Sequence, residues 1–338
     1  MTNCDAGLIG SSAVMQKLRE QIARVAAIPL PILIEGPTGS GKELVAQALH
    51  RESRRAGRLV AVNVCAIAES LFEDTMFGHV RGAFSGATAD RTGLFGEADR
   101  GTLFLDEISG LSASAQSKLL RAIETGVFRP VGARTDDSSD ARLLSATSVP
   151  LDEAIRAGSF RADLGFRLSG ATIRVPALAE HREDIPELAR HFAGAGRFKG
   201  LSPKELSDGA ISALTRQSWP GNIRQLRNTV ECALMLSDGP RVSGDDVQRV
   251  IEQNFGATRS ADDEEERRRL RETLGSFEWD TERTAIYFGV HRASIYRRMR
   301  RLGIEAGQRR RYTGKDWRLP GLSDEIHPSS TNGETSLE

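Results

Sequence analysis

One short run narrows most sharply what this chain can become. Gly36-Pro37-Thr38-Gly39-Ser40-Gly41-Lys42 lies between an apolar stretch and a helical pattern. Glycines at this spacing let backbone amides approach phosphate oxygens, and the following helix offers partial positive charge at its N-terminus. Lys42 can then reach the β and γ phosphates of a nucleotide. A Ser or Thr commonly follows such a lysine; here Glu43 takes that position. A glycine-rich turn alone fits many folds. With a strand before it and a helix after it, the run predicts a nucleotide loop on a parallel α/β sheet.

The apolar pattern agrees. Ser11 or Ser12 can cap a helix carrying Met15, Leu18, Ile22 and Val25 at helical spacing. Apolar runs at 30–34, 59–62, 102–105, 143–146 and 173–175 read as strands, with helical patterns such as 44–50 and 115–125 between them. Continuous rather than alternating runs are the mark of parallel strands covered on both faces. After Pro176 the strands stop, and 185–192, 203–218, 222–236 and 244–252 read as helices. The polar stretch 256–266, closing on an acidic run at 262–266, reads as a linker or, equally, as a solvated helix face. The resulting division is an α/β domain (1–175), a small helical subdomain (176–255), the linker (256–266), a compact helical domain (267–306) and a tail (307–338). The tail is basic at first and then of disordered composition. A chain of 338 residues accommodates two or three such domains.

A second chemical element strengthens the first. Thr102-Leu103-Phe104-Leu105-Asp106-Glu107 is an apolar strand ending in two carboxylates. At the C-terminal edge of a parallel sheet they would face the phosphate loop. Asp106 could hold magnesium, directly or through water, and Glu107 could polarise an attacking water. Together the two elements predict hydrolysis of ATP with Mg2+.

Composition excludes several classes. Forty-six basic and 46 acidic side chains leave no net charge, which rules out a wholly basic nucleic-acid coat but not a local patch. The longest apolar run, 25–34, is broken by Pro29 and Pro31 and is too short to span a bilayer. No secretory pattern opens the chain. Cys4, Cys65 and Cys232 are odd in number and scattered, so neither a disulfide framework nor a zinc site is expected. A cytoplasmic location follows.

Residues 281–304 read as helix, turn, helix, with Gly289 and Val290 at the turn. From Arg283 to Lys315 there are ten basic residues against one acid, Glu305. Such a concentration of charge beside a helix-turn-helix suits phosphate contacts. Arg292, Ser294, Arg297, Arg298 and Arg301 are the candidate DNA-binding residues, whereas Ile295 and Met299 should face the core.

These residues resemble a known family. Residues 8 to about 252 look like the AAA+ domain of bacterial sigma-54-dependent transcription activators, the enhancer-binding proteins. GPTGSGKE, with Glu43, is similar to that family's phosphate loop, and GTLFLDEI to its second ATPase motif. Gly82-Ala83-Phe84-Ser85-Gly86-Ala87 is nearly its GAFTGA motif, and WPGNIRQLRN, from Trp219 to Asn228, nearly its helical-lid signature. The resemblance implies an AAA+ P-loop ATPase with a helical lid and a C-terminal all-α Fis-type helix-turn-helix. Gly36 to Glu43 would hold nucleotide. Asn63 would be the switch that couples Glu107 to nucleotide state. Thr147 would be the first sensor and Arg224 the second. Arg161 and Arg167 would be arginine fingers reaching a neighbouring subunit, a device that contributes about 10³ to 10⁵ in rate. A homo-oligomeric ring, a hexamer by analogy, follows.

The resemblance also implies that Phe84, on an exposed apolar loop, touches sigma-54 RNA polymerase, with 128–140 as a second mobile insertion beside it. Fis-type units pair, so a palindromic enhancer DNA site is expected. The ATPase domain begins almost at Met1, as in phage-shock or type III secretion activators. Control by a separate regulatory protein in trans is therefore expected. Two rivals are another ring ATPase, against which the 82–87 loop argues, and a non-enzymatic DNA-binding repressor, against which Lys42, Asp106 and Glu107 argue.

Overall fold

Five short strands carry the architecture. The computed structural model describes residues 7–194, 204–288 and 292–304. Strands β1 (Ile32–Glu35), β2 (Leu59–Asn63), β3 (Thr102–Asp106), β4 (Arg142–Thr147) and β5 (Ala171–Arg174) form one sheet in the order β2-β3-β4-β1-β5. Every pairing is parallel. β3, β4 and β1 are buried along nearly their whole length, as strands covered on both faces must be.

Side chains alternate between the two faces. Ile32, Ile34, Phe104, Leu144 and Ile173 pack against Met15, Leu18, Ile22, Val45 and Leu49, from the helices Ala13–Ala26 and Lys42–Ser53. Leu33, Leu103, Leu105 and Leu143 face the other way, toward Leu119 of the helix Ala113–Thr125 and toward Leu164. Ser12 is the cap of the first helix, its hydroxyl accepting from Met15 N. Because the strands are parallel, the C-terminal ends of β1, β3 and β4 share one edge, and the chemistry gathers there.

Two insertions are joined to each other. Gly78–His79 pairs antiparallel with Arg91–Thr92, and Val127–Phe128 with Asp137–Ser138. Val80 N donates to Val131 O at 3.1 Å and Val131 N to Gly78 O at 2.8 Å, which ties the first insertion to the second.

The helices Ile185–Gly194, Asp208–Arg216, Asn222–Leu236 and Gly244–Ile251 enclose a core of Leu188, Leu214, Trp219, Leu226, Val230 and Val247. Here the sequence reading needs correction, because strands do continue past Pro176. Glu205–Leu206 pairs parallel with Arg241–Val242. Two residues per strand are too short to leave a hydropathy pattern, and the buried Val242 is what anchors the pair. The helix expected over 203–218 is shorter, beginning after the Ser207 cap.

The chain divides into two compact units that meet at Phe255 and Gly256. In the second unit, most of the stretch expected as a linker is helix: Ala257–Ser276 runs through the acidic segment. Acids ahead of a block of arginines favour this, since opposite charges three or four positions apart meet on a helix surface. Glu265 and Arg268 pair in this way at 2.6 Å. The helices Thr281–Tyr287 and Arg292–Arg301 follow. Asp280 caps the first of them by accepting from Glu282 N and Arg283 N. Leu270, Leu274, Ala285, Ile295, Met299 and Leu302 form the core of this unit, so Ile295 and Met299 do face inward. The tail 307–338, Gly289 and Val290 lie outside the described residues.

Candidate functional site

The loop between β1 and the helix Lys42–Ser53 is bent by Gly39 at φ 77° and Gly41 at φ 100°, both in the left-handed region that side chains disfavour. Gly39 also lacks room: a β-carbon there would lie 2.3 Å from Gly221 O. The tightness comes from the helical subdomain, which is fastened directly to the loop. Arg224 N donates to Gly39 O at 3.2 Å, and Asn222 Nδ2 donates to Thr38 O at 3.0 Å. Asn222 Oδ1 accepts from Leu178 N at 2.9 Å, so one buried side chain straps loop, hinge and lid together.

Beside the loop lies a cleft of about 610 Å³, lined among others by Lys42, Glu43, Asp106, Glu107 and Arg224. Its apolar part is built by Leu8, Met15 and Ile223. A phosphate end and an apolar end in one cleft suit a purine nucleotide. Lys42 is buried, with Nζ donating to Gly36 O at 2.9 Å and lying 3.5 Å from Glu107 Oε1. Ser40 Oγ is buried without a protein hydrogen-bond partner, an acceptor and donor left over inside the phosphate loop.

Asp106 ends β3, opposite Asn63 of β2, and its Oδ1 accepts from Glu107 N at 3.0 Å. Burial, then the charge of Glu107, hold the Asp106 carboxyl above the ordinary range, with Lys42 pulling the other way. Two adjacent carboxylates of this kind, one desolvated, fit a hard divalent cation that would relieve their repulsion. Among the described residues no cluster of three or more metal-ligating side chains occurs, so water and phosphate oxygens would complete such a shell.

The remaining predicted residues are placed as follows. Asn63 Oδ1 accepts from Cys65 N at 3.0 Å rather than meeting Glu107. Glu107 Oε2 instead accepts from Ser148 Oγ at 2.7 Å. Thr147 is fully buried, its hydroxyl donating to Val149 O at 2.6 Å and lying 3.1 Å from the Ser109 hydroxyl. Arg161 and Arg167 are exposed and lie outside their own chain's cleft. Arg161 is held by Asp163 at 2.8 Å and Arg167 by Glu124 at 3.3 Å. The Arg161 guanidinium pulls the Asp163 carboxyl down to about 2. Gly165, between the two arginines, is buried where a β-carbon would press 2.7 Å against Ile155 Cδ1.

The 82–87 segment is a closed turn. Gly82 N donates to Ala87 O at 2.8 Å and Ala87 N to Phe84 O at 3.1 Å. Gly82 at φ 82° and Gly86 at φ 105° permit the reversal, with open space around both. Phe84 is 47% exposed, its ring resting edge-on against His79 at 4.9 Å.

In the second unit Arg292 Nε donates to Thr281 Oγ1 at 3.1 Å, and its guanidinium lies over the Tyr296 ring. Arg298 is 3.8 Å from Glu266 and lies over Phe288. Ser294 is half-buried on the same helix. The side chains of Arg297 and Arg301 lie outside the described residues.

A parallel sheet in this order, a glycine loop closed by a helical lid and paired carboxylates on the facing strand define an AAA+ P-loop module. Residues 8–174 match the model of the sigma-54 interaction domain, and 179–264 match the AAA+ ATPase lid domain. The chain is 48% identical over 239 residues to the C4-dicarboxylate transport transcriptional regulatory protein DctD of Pseudomonas aeruginosa, covering 69% of this chain and 52% of that one. It is 47% identical over 244 residues to the transcriptional regulatory protein ZraR of Salmonella typhimurium, covering 70% and 54%. The crystal structure of NtrX from Brucella abortus in complex with ATP superposes with a TM-score of 0.66 at 36% identity, over 88% of this chain and 69% of that one. The chain belongs to the sigma-54 interaction domain family. It spans about half the length of the curated relatives it matches. No helix among its described residues is long and apolar enough to cross a membrane.

Sequence reasoning quoted Asn222 within a motif without giving it work, and it missed the Ser148 hydroxyl. Asn222 carried one signal, an amide next to the Pro-Gly that precedes a helix. Ser148 carried its place beside Thr147, the expected first sensor, where the resembled family often has Asn.

Proposed function

We propose that this chain is an ATP-driven activator of sigma-54-dependent transcription. The observation that carries the reading is Lys42 placed 3.5 Å from Glu107, inside a cleft that the lid's Arg224 also lines. In this reading Lys42 leaves Glu107 for the β and γ phosphates, and the backbone amides of the loop hold the remaining oxygens. The unpartnered Ser40 hydroxyl gains a partner at the same time. Bound magnesium supplies charge neutralisation on the phosphates, and Asp106 is the residue that would hold it. Glu107 orients and polarises the attacking water. Thr147 and Asn63 act as supports of that edge, and Arg224 links nucleotide state to the lid.

Arg161 and Arg167 serve a neighbouring subunit's cleft, which requires a ring of this chain, hexameric by analogy. Their exposure and their surface ion pairs support this, because exposed pairs of this kind contribute little and exchange readily. Phe84, on a turn already closed by its own hydrogen bonds, is the contact to sigma-54. The helix Arg292–Arg301 docks on upstream DNA through Arg292, Ser294 and Arg298, and paired units read a palindromic site.

The test uses purified protein, ATP and sigma-54 RNA polymerase on a supercoiled template. The parent chain hydrolyses ATP and yields open complexes. Glu107→Ala binds ATP but opens no promoter; full activation by that variant would rule out hydrolysis as the driver.

A further inference from the structure

His181 is 1% exposed, yet it lines the cleft beside the phosphate loop. Its Nδ1 lies 3.0 Å from Asp184 Oδ2, and Asp184 N donates to His181 O at 3.0 Å, so side chain and backbone close one turn. Asp184 is anchored in its turn to Ser12, accepting from Ser12 N at 2.9 Å and from Ser12 Oγ at 2.6 Å. Ser12 stands between Leu8 and Met15, which build the apolar part of the cleft. The imidazole is therefore fastened beside the part suited to a purine ring. An ionised carboxylate only accepts, so Nδ1 carries the ring hydrogen, and Nε2 of the neutral ring is an acceptor. Among the described residues no group bonds Nε2. A buried acceptor left over in a ligand cleft calls for a donor from the ligand.

We propose that His181 reads the base of the bound nucleotide, its Nε2 accepting a hydrogen bond from the exocyclic amine of adenine; this rests on the ATPase reading above. Guanine carries a carbonyl oxygen where adenine carries that amine, so two acceptors would then face each other. A site that buries a polar group for its ligand rejects an analogue that leaves the group unpaired. Asp184 positions the reader by fixing which ring nitrogen holds the hydrogen and how the ring is turned. Leu8, Ile9, Met15 and Ile223 also line the cleft, but apolar side chains hold any purine alike and cannot tell an amine from a carbonyl. Lys42, Asp106 and Glu107 are separate from this contact. Losing it must therefore fall on binding and KM rather than on kcat.

The experiment compares the full parent chain with His181→Asn. Competition against a fluorescent ADP supplies Kd for ATP, for GTP and for purine riboside triphosphate, which lacks the amine. Steady-state hydrolysis supplies kcat and KM. The asparagine amide nitrogen takes the place of Nδ1 and keeps the bond to Asp184, whereas nothing replaces Nε2. The parent should bind purine riboside triphosphate about tenfold more weakly than ATP, the scale of one hydrogen bond to a buried acceptor, and GTP more weakly still. In His181→Asn, ATP should weaken about tenfold and bind within about twofold of purine riboside triphosphate, while kcat at saturating ATP stays within about twofold of the parent. A merely structural role for His181 would weaken both nucleotides alike and leave their ratio at the parent value; that result overturns the proposal. So does tighter binding of GTP than of ATP, which would make Nε2 a donor. Equal affinity of the parent for ATP and purine riboside triphosphate also overturns it, and needs no variant to fold. A parent chain that never hydrolyses ATP sinks the ATPase reading, and the proposal with it. A parent that hydrolyses ATP and purine riboside triphosphate with equal KM sinks only the role of His181.

Discussion

Asp184→Ala removes the centre of a buried polar knot that joins the α/β domain to the lid. Asp184 is 0% exposed and His181 beside it 1%. Asp184 Oδ1 accepts from Ser12 N at 2.9 Å, while Oδ2 accepts from Ser12 Oγ at 2.6 Å and lies 3.0 Å from His181 Nδ1. The packing is close on one side: a β-carbon on Gly10 would sit 2.5 Å from Oδ2. Alanine therefore takes away the acceptor of two Ser12 donors and the partner of a His181 ring nitrogen in a buried site. Ser12 still accepts from Met15 N, so the helix cap survives in part. Hydrogen bonds to a charged acceptor contribute about 1.5–3 kcal/mol each, and losing one partner of a buried charged set costs about 3–5 kcal/mol. In a unit of this size that lowers the melting temperature by about 6–20 °C. Differential scanning calorimetry of the full chain reads it directly. Asp184→Asn, which keeps one carbonyl acceptor, should lose less. A shift under about 2 °C in the alanine variant, where ~6 °C is the least allowed, would mean that the knot adds nothing and that the lid is held by its apolar core alone.

Asp106→Asn should raise the melting temperature of the nucleotide-free protein near neutral pH. A carboxyl raised by burial and by Glu107 weakens the folded state while ionised, and that penalty fades as pH falls through the raised value. The gap between variant and parent should therefore narrow on acidification; a widening gap contradicts the desolvation argument. Phe84→Ala should weaken capture of sigma-54 by the protein trapped with a transition-state mimic by about 30-fold, the scale of one buried aromatic anchor. Native-gel titration measures it, and unchanged capture would remove Phe84 from the contact. Arg292→Ala should weaken binding across all DNA sequences and make the salt dependence shallower by about one unit. Fluorescence anisotropy at several salt concentrations reports both, and an unchanged slope would place Arg292 away from phosphate.

The legible parts of this protein were the ones written in neighbouring residues. The phosphate loop shows in its glycines because the left-handed turns at Gly39 and Gly41 need them locally. The parallel sheet shows in the apolar runs because β1, β3 and β4 are buried on both faces. The acidic stretch before Arg267 left helix and linker equally open. Composition favoured the linker, and charge pairs such as Glu265 with Arg268 favour the helix that forms. The pair Glu205–Leu206 and Arg241–Val242 was hidden by its shortness.

Residue types and short spacings were enough to read that β1 ends in a glycine loop, that β3 ends in two carboxylates and that basic residues gather toward the C-terminal end of the sequence. Each depends on atoms only a few positions apart. Which donor Glu107 receives, what holds the loop to the lid and where Asp184 is buried were decided by the folded sheet and lid. The bonds concerned span 41, 184 and 172 positions. Partners so far apart meet only once strand order and domain closure have brought them together, so no local pattern could encode their pairing.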